Sequence, residues 1–196
     1  PALCGSLPAP RMPDAASLNS LAAGRLTHAK GFDLLIDAFA LVSRRYPSAT
    51  LTICGAGPDH QALQDLAVRK GVQDKVRLTG YVTDIRPYLD EARLFVLSSR
   101  REGYGAVILE ALAAGRQVIT TDCTPAARDF VACCEAVHVV PVGDSSALAQ
   151  AMIAVLGKPA PDSQTLADAV KPFAIDCGGQ AYLFLMSSLL GKARKH

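Results

Sequence analysis

Neither sign of charge is in excess in this 196-residue chain: 20 Lys and Arg stand against 18 Asp and Glu, a net charge of +2. That balance excludes a strongly basic nucleic-acid face. No apolar run approaches the roughly 18 residues that span a bilayer; the best, residues 181–190, is about half that. Its cysteines, at 4, 54, 123, 133, 134 and 177, form no Cys-x-x-Cys and show no metal-like spacing to the four histidines. They read as reduced structural thiols in a cytoplasmic compartment, Cys54 and Cys123 falling at strand ends. An initiator methionine and a signal peptide are both missing, which reads as a piece of something longer. Hydrophobic residues make up 50% and charged ones 19%, so the composition is that of a folded domain, not a disordered chain.

Four prolines (Pro1, Pro8, Pro10 and Pro13) and little periodicity make residues 1–17 a linker. Beyond it, short apolar strands alternate with amphipathic helices. Strands are predicted at 18–23, 50–54, 76–79, 94–98, 118–121 and 137–140. Helices are predicted at 31–46, 59–70, 85–90, 106–114, near 126–131 and at 145–156. In the first helix Leu34, Leu35, Ala38, Leu41 and Val42 share a stripe, Arg44 and Arg45 suit the C-terminal dipole, and Pro47 stops it. LFVLS (94–98) is apolar on both faces, as a strand inside a parallel sheet must be. Such alternation specifies an α/β fold with a doubly wound, Rossmann-like parallel sheet over residues 18–157. After Pro159 and Pro161, residues 158–196 read as a helical extension that packs on this domain. It holds helices near 163–170 and at 181–190, the second too apolar to lie alone on a surface. The basic end at 192–196 is a frayed tail.

In open parallel sheets ligands bind at the carboxyl ends of the strands, where helix N-termini point. Four loops of that kind carry chemistry. The first, 24–31, sets Arg25 and Lys30 beside a helix N-terminus, a pairing suited to an anion, although a lone Arg–Lys pair is commonly just solvated. The second, Gly55-Ala56-Gly57-Pro58, allows close backbone approach. It lacks the third glycine of a dinucleotide fingerprint, so a tight strand-to-helix turn explains it adequately. The third, 80–84, is positioned to frame a flat base, with Val82 packing on one face. The fourth contains Glu102, Gly103, Tyr104, Gly105, Ala106 and Glu110. Its glycines expose backbone N–H groups to phosphate or sugar oxygens, and two carboxylates flanking an anion-binding loop suit a polyol joined to a diphosphate. Glu110 lies in an apolar helix, so a partner for its carboxylate is expected.

Together GRLTHAKGFDLLIDAF, GAGP, LTGYVTD and REGYGAVILEALAAGRQVITTD resemble the C-terminal, donor-binding half of a retaining GT-B glycosyltransferase of family 4, also called group 1. The likeness runs from about residue 21 to 156, and its most specific element is E-x7-E, formed by Glu102 and Glu110 in that order after GRL…KG. It implies a nucleotide-sugar substrate. Arg25 and Lys30 would hold the diphosphate and steady the charge on it as the glycosidic bond breaks. Glu102 would bind hydroxyls of the transferred sugar, Glu110 the ribose diol, Tyr81 and Val82 the base, and Gly103, Tyr104, Gly105 and Ala106 the sugar and phosphates. Glu102, Arg25 and Lys30 thus become the candidate catalytic residues.

The chain has no Asp-x-Asp, so neither a metal nor another cofactor is expected, and cations take the metal's place. TDCTPAA (121–127) stands where relatives often carry glycines, which leaves the donor sugar open. The resemblance further implies that an N-terminal acceptor domain is missing. The fragment alone would then bind donor without transferring sugar, and membrane contact would belong to the longer enzyme only. Two alternatives compete: a non-catalytic sugar-nucleotide-binding module, and half of a GT-B-like sugar-nucleotide epimerase.

Overall fold

A computed structural model describes residues 9–14, 16–124, 127 and 134–170. Apart from Ala127, the expected helix near 126–131 lies outside the described residues, as do the one at 181–190 and Cys4, Cys133 and Cys177.

Six parallel strands form one sheet: β1 (Asn19–Ala23), β2 (Thr50–Cys54), β3 (Val76–Leu78), β4 (Leu94–Leu97), β5 (Gln117–Thr121) and β6 (Val137–Val140). Their spatial order is β3-β2-β1-β4-β5-β6. Central β1 pairs with β2 on one side and β4 on the other, Leu21 lying opposite both Thr52 and Phe95. The chain therefore reverses its winding direction between β1 and β4, and a crevice opens above their carboxyl ends.

Helices α1 (Phe32–Arg45), α2 (His60–Arg69), α3 (Arg86–Glu91), α4 (Ala106–Ala113), α5 (Ser145–Leu156) and α6 (Ser163–Ala169) cover both faces. Alternation along the strands divides the core in two. Ala22, Leu94, Val96 and Ile119 point to the layer of α1, α2 and α5, where they meet Leu35, Phe39, Leu63 and Met152. Leu21, Phe95, Leu97 and Val118 point the other way, onto Leu89 of α3, Ile108 and Leu112 of α4 and Leu166 of α6. Each fully buried Leu, Ile or Phe is worth about 1.5–3 kcal/mol, so these two layers dominate stability. Aspartates start the last two helices: the Asp144 carboxylate accepts from the Ala147 N–H at 2.8 Å, and Asp162 from the Thr165 N–H at 2.8 Å. Such caps satisfy N–H groups that the first helical turn leaves without partners.

The strand and helix boundaries follow the sequence reading to within a residue. The amino-end rim of the sheet was not foreseen. Arg116, just before β5, is fully buried and donates to the carbonyls of Ala92 (2.9 Å), Ala114 (3.1 Å) and Arg11. Arg93, just before β4, donates to the Gln117 side chain (2.7 Å) and the Lys158 carbonyl (2.8 Å). Burial pulls Arg116 down to about 10. Ser163 donates its hydroxyl to the Arg11 carbonyl (3.2 Å), and its N–H meets the Met12 sulfur at 3.3 Å. The incoming segment, read from its prolines as a linker, is therefore bound at Arg11 and Met12 to the same rim as the outgoing one.

Candidate functional site

Above β1 and β4 lies a cavity of about 630 Å³. Arg25 and Lys30 reach it from the β1–α1 loop, Cys54 and Gly55 from the end of β2, and Tyr81, Val82 and Ile85 from the segment after β3. Glu102, Gly105, Ala106 and Glu110 close it on the β4–α4 side. Four stretches of sequence thus converge on one hollow. Of the residues expected there, Gly103 and Tyr104 do not line it. Their loop turns the Tyr104 ring to the surface, where it is 47% exposed.

Lys30 ends a single 3₁₀ turn, His28–Lys30, and its ammonium donates to Oε1 of Glu102. The Ser99 hydroxyl donates to the same oxygen at 2.8 Å. Oε2 carries no hydrogen bond to any described residue. Both partners are largely withdrawn from water, with side-chain exposures of 25% for Lys30 and 12% for Glu102. Arg25 is exposed and makes no side-chain hydrogen bond or ion pair among the described residues. The site therefore presents one shared cation and one unshared one. At the start of α4, Gly105 takes a left-handed backbone (φ +79°) and no side chain caps the helix, which leaves its first N–H groups directed at the cavity.

The partner expected for Glu110 is not there: no described residue hydrogen-bonds or ion-pairs with its carboxylate. Burial, with Asp84 adding like charge, raises its pKa instead. Its position on the cavity wall explains how a half-buried acid remains without a protein partner. Tyr81, 78% exposed, and Val82 form the rim opposite. Cys54 lies almost fully buried in the wall, and burial raises its thiol pKa.

The glycines of Gly55-Ala56-Gly57 serve packing, and Gly55 also lines the cavity. A Cβ on Gly55 would sit 1.8 Å from the Gly24 carbonyl oxygen, and one on Gly57 2.2 Å from that of Leu26. They let the β1 and β2 loops lie against each other, with the Leu26 N–H donating to the Ala56 carbonyl at 3.0 Å. Gly31 does the same across the crevice: at φ +64°, a Cβ would fall 2.1 Å from the Ser98 carbonyl oxygen.

Sequence reasoning missed the residues that join the two loops. Arg100 forms a two-pronged pair with Asp33, 2.7 Å on each prong, and also donates to the His28 carbonyl at 2.8 Å. Burial alone would raise the Asp33 carboxyl, but the Arg100 guanidinium outweighs it and holds the group below the usual range. The Ser98 hydroxyl donates to the Lys30 carbonyl at 3.0 Å. From β5, Thr121 donates to the Ser99 carbonyl (2.5 Å), and from the loop beyond, Thr124 donates to that of Gly103 (3.1 Å). Among the described residues no cluster of three His, Cys, Asp or Glu could hold a metal ion, and no helix is long and apolar enough to cross a membrane.

The family model described as "Glycosyl transferases group 1" matches residues 18–158. The lipopolysaccharide core biosynthesis glycosyltransferase LpsE of Rhizobium meliloti is 36% identical over 129 residues, 66% of this chain and 36% of that protein. Among solved structures, HepE of Anabaena in complex with UDP superposes with a TM-score of 0.77 at 23% identity, covering 88% of this chain and 49% of that one. The C-terminal domain of the group 1 family protein LpcC from Francisella tularensis superposes with a TM-score of 0.72 at 21% identity, covering 81% of this chain and 88% of that domain. The chain spans between 24% and 51% of the length of curated relatives that it matches.

Proposed function

Because the chain belongs to the group 1 glycosyltransferases, we propose that it is the donor-binding half of an enzyme that moves a sugar from a nucleoside diphosphate sugar to an acceptor hydroxyl, with retention at the anomeric carbon. One observation carries this reading: Arg25, Lys30, Glu102 and Glu110 border one cavity at the point where the sheet reverses its winding. The UDP present in the HepE structure, a relative in fold, is consistent with it.

In this reading the base lies on the rim of Tyr81 and Val82, and Glu110 accepts hydrogen bonds from the ribose hydroxyls. The diphosphate sits between Arg25, Lys30 and the first N–H groups of α4. When the bond from the anomeric carbon to the phosphate oxygen breaks, its electron pair stays on that oxygen. Arg25, Lys30 and the helix end stabilise the added charge. These cations do the work that a metal would otherwise do, in keeping with the absence of an Asp-x-Asp sequence. Glu102, with Oε1 tied down by Lys30 and Ser99, offers Oε2 to a sugar hydroxyl and so orients the anomeric carbon. The acceptor is held by residues outside this chain, so the chain alone binds donor without transferring it.

Calorimetric titration with uridine and guanosine diphosphates, then with their glucose and mannose esters, tests the reading. At least one diphosphate is expected to bind, and its sugar ester to gain affinity that Glu102→Gln removes. Failure of every diphosphate and ester to bind would overturn it.

A further inference from the structure

The two loops that carry Lys30 and Glu102 are held together by contacts that do not involve the cavity. Arg100 supplies most of them. Its guanidinium grips both oxygens of Asp33 in the first turn of α1 and the carbonyl of His28, while its backbone N–H donates to the Ala29 carbonyl at 2.8 Å. Ser98 and Gly31 complete the seam, through the bond from the Ser98 hydroxyl to the Lys30 carbonyl and the close backbone approach at Gly31. Lys30 and Glu102 lie just beyond this seam, one on each side. Across the crevice Lys30 is held by Ser98 only through its carbonyl, and among the described residues the Glu102 side chain meets the β1 loop only through the Lys30 ammonium.

Resting on the donor-site reading, we infer that Arg100 and Asp33 are positioning residues: their forked pair fixes the spacing between the turn that presents Lys30 and the loop that presents Glu102. An ordinary surface ion pair would contribute little. This one differs in kind, because the planar guanidinium satisfies two carboxylate oxygens and a backbone carbonyl at once, which lysine cannot reproduce. Losing it leaves the fold intact and lets the two loops drift, and displacement of about 1 Å at a reacting group is costly.

Asp33 separates positioning from plain electrostatics. If Arg100 acted only as a distant positive charge near the phosphates, neutralising Asp33 would strengthen the attraction for an anion. If the pair sets geometry, neutralising Asp33 weakens binding. The experiment compares the unsubstituted chain with Asp33→Asn, Arg100→Lys and Arg100→Ala. Probes are uridine and guanosine diphosphates by calorimetry, uridine and guanosine by ligand-observed NMR, and the thermal midpoint.

Asp33→Asn is expected to weaken diphosphate binding by about fivefold, as coupled neighbours do, with nucleoside affinity and thermal midpoint held. Arg100→Lys should fall with it, the retained charge notwithstanding. Tighter or unchanged diphosphate binding in Asp33→Asn, or equal losses for diphosphate and nucleoside, would overturn the inference while leaving the donor site standing. Should Arg100→Ala fail to fold, Asp33→Asn and Arg100→Lys decide the matter. A failure of the unsubstituted chain to bind either diphosphate would instead reject the donor-site reading itself, and this inference with it.

Discussion

Lys30 and Glu102 bond to each other across the gap between β1 and β4, and Ser99 donates to the same carboxylate oxygen. A diphosphate that approaches Lys30 therefore meets a cation already shared with an acid, while Arg25 is unshared. The two cations are unequal: Arg25 is exposed and unshared among the described residues, and Lys30 offers charge coupled to the carboxylate that, in the proposed reading, faces the sugar.

Replacing both cations tests that arrangement most directly. Arg25→Ala with Lys30→Ala should weaken binding of a nucleoside diphosphate by about 2–4 kcal/mol, through lost charge-assisted hydrogen bonds. The double change also leaves Glu102 uncompensated beside the phosphates. Calorimetry on the double variant checks the value, and an unchanged affinity would reject the phosphate assignment.

Glu110 gives the site a pH dependence. Its folded pKa is raised, chiefly by burial. Its ionised form is thus disfavoured in the fold, and its contribution to stability is largest below the ordinary glutamate value and lost as pH rises through the raised one. In the proposed donor pose binding runs the opposite way, because ribose hydroxyls bond more strongly to the ionised carboxylate than to the neutral acid. Diphosphate affinity should fall as pH drops from neutral through that raised value toward 4.5, the ordinary value for glutamate. Glu110→Gln should bind more weakly at neutral pH and lose this component of the profile. Parallel profiles for the two proteins would count against the ribose role.

Gly31 and Gly71 make a matched pair for stability. Both are left-handed, at φ +64° and +69°, but a Cβ on Gly31 would strike the Ser98 carbonyl, whereas nothing lies within 4 Å of one on Gly71. Gly71→Ala should cost about 1 kcal/mol from backbone strain alone. Gly31→Ala should cost roughly 3 kcal/mol, since the crevice must also open. Urea denaturation of the two variants measures the difference, and equal losses would mean that the crevice yields freely.

Arg116→Met removes a buried guanidinium and leaves the carbonyls of Ala92, Ala114 and Arg11 without that donor. A loss of about 3 kcal/mol is expected, in the range for a broken buried polar network, read as a shift in the denaturation midpoint at constant slope. A change below about 0.5 kcal/mol, the range of ordinary surface substitutions, would show that water replaces the side chain there.

Much of this was legible in the residues. Runs such as TLTIC and LFVL mark buried strands because a parallel sheet covers both faces. The loops after them carry the glycines and charges that reach the cavity. Arg25, Lys30, Glu102 and Glu110 could be read because motif order placed three of them in loops after strand carboxyl ends and Glu110 in the helix that follows the last of these loops. Asp33 and Arg100 could not be, since they meet each other across 67 residues and Arg100 meets a backbone carbonyl 72 residues away, and spacing alone carries no trace of such pairs. Gly103 and Tyr104, expected beside the sugar and phosphates, do not line the cavity, because a glycine beside a carboxylate says that the backbone can turn, not which way. Nothing in the sequence marked Arg93 and Arg116, because only the three-dimensional rim gathers the acceptors that hold them.

That rim also sets how far the polypeptide tolerates trimming. A cut between Arg11 and β1 would take one of three carbonyl acceptors from Arg116, and a cut between α5 and Lys158 one of two acceptors from Arg93. Two backbone carbonyls that lie outside every strand and helix, those of Arg11 and Lys158, thus help to solvate buried cations from the edges of the domain.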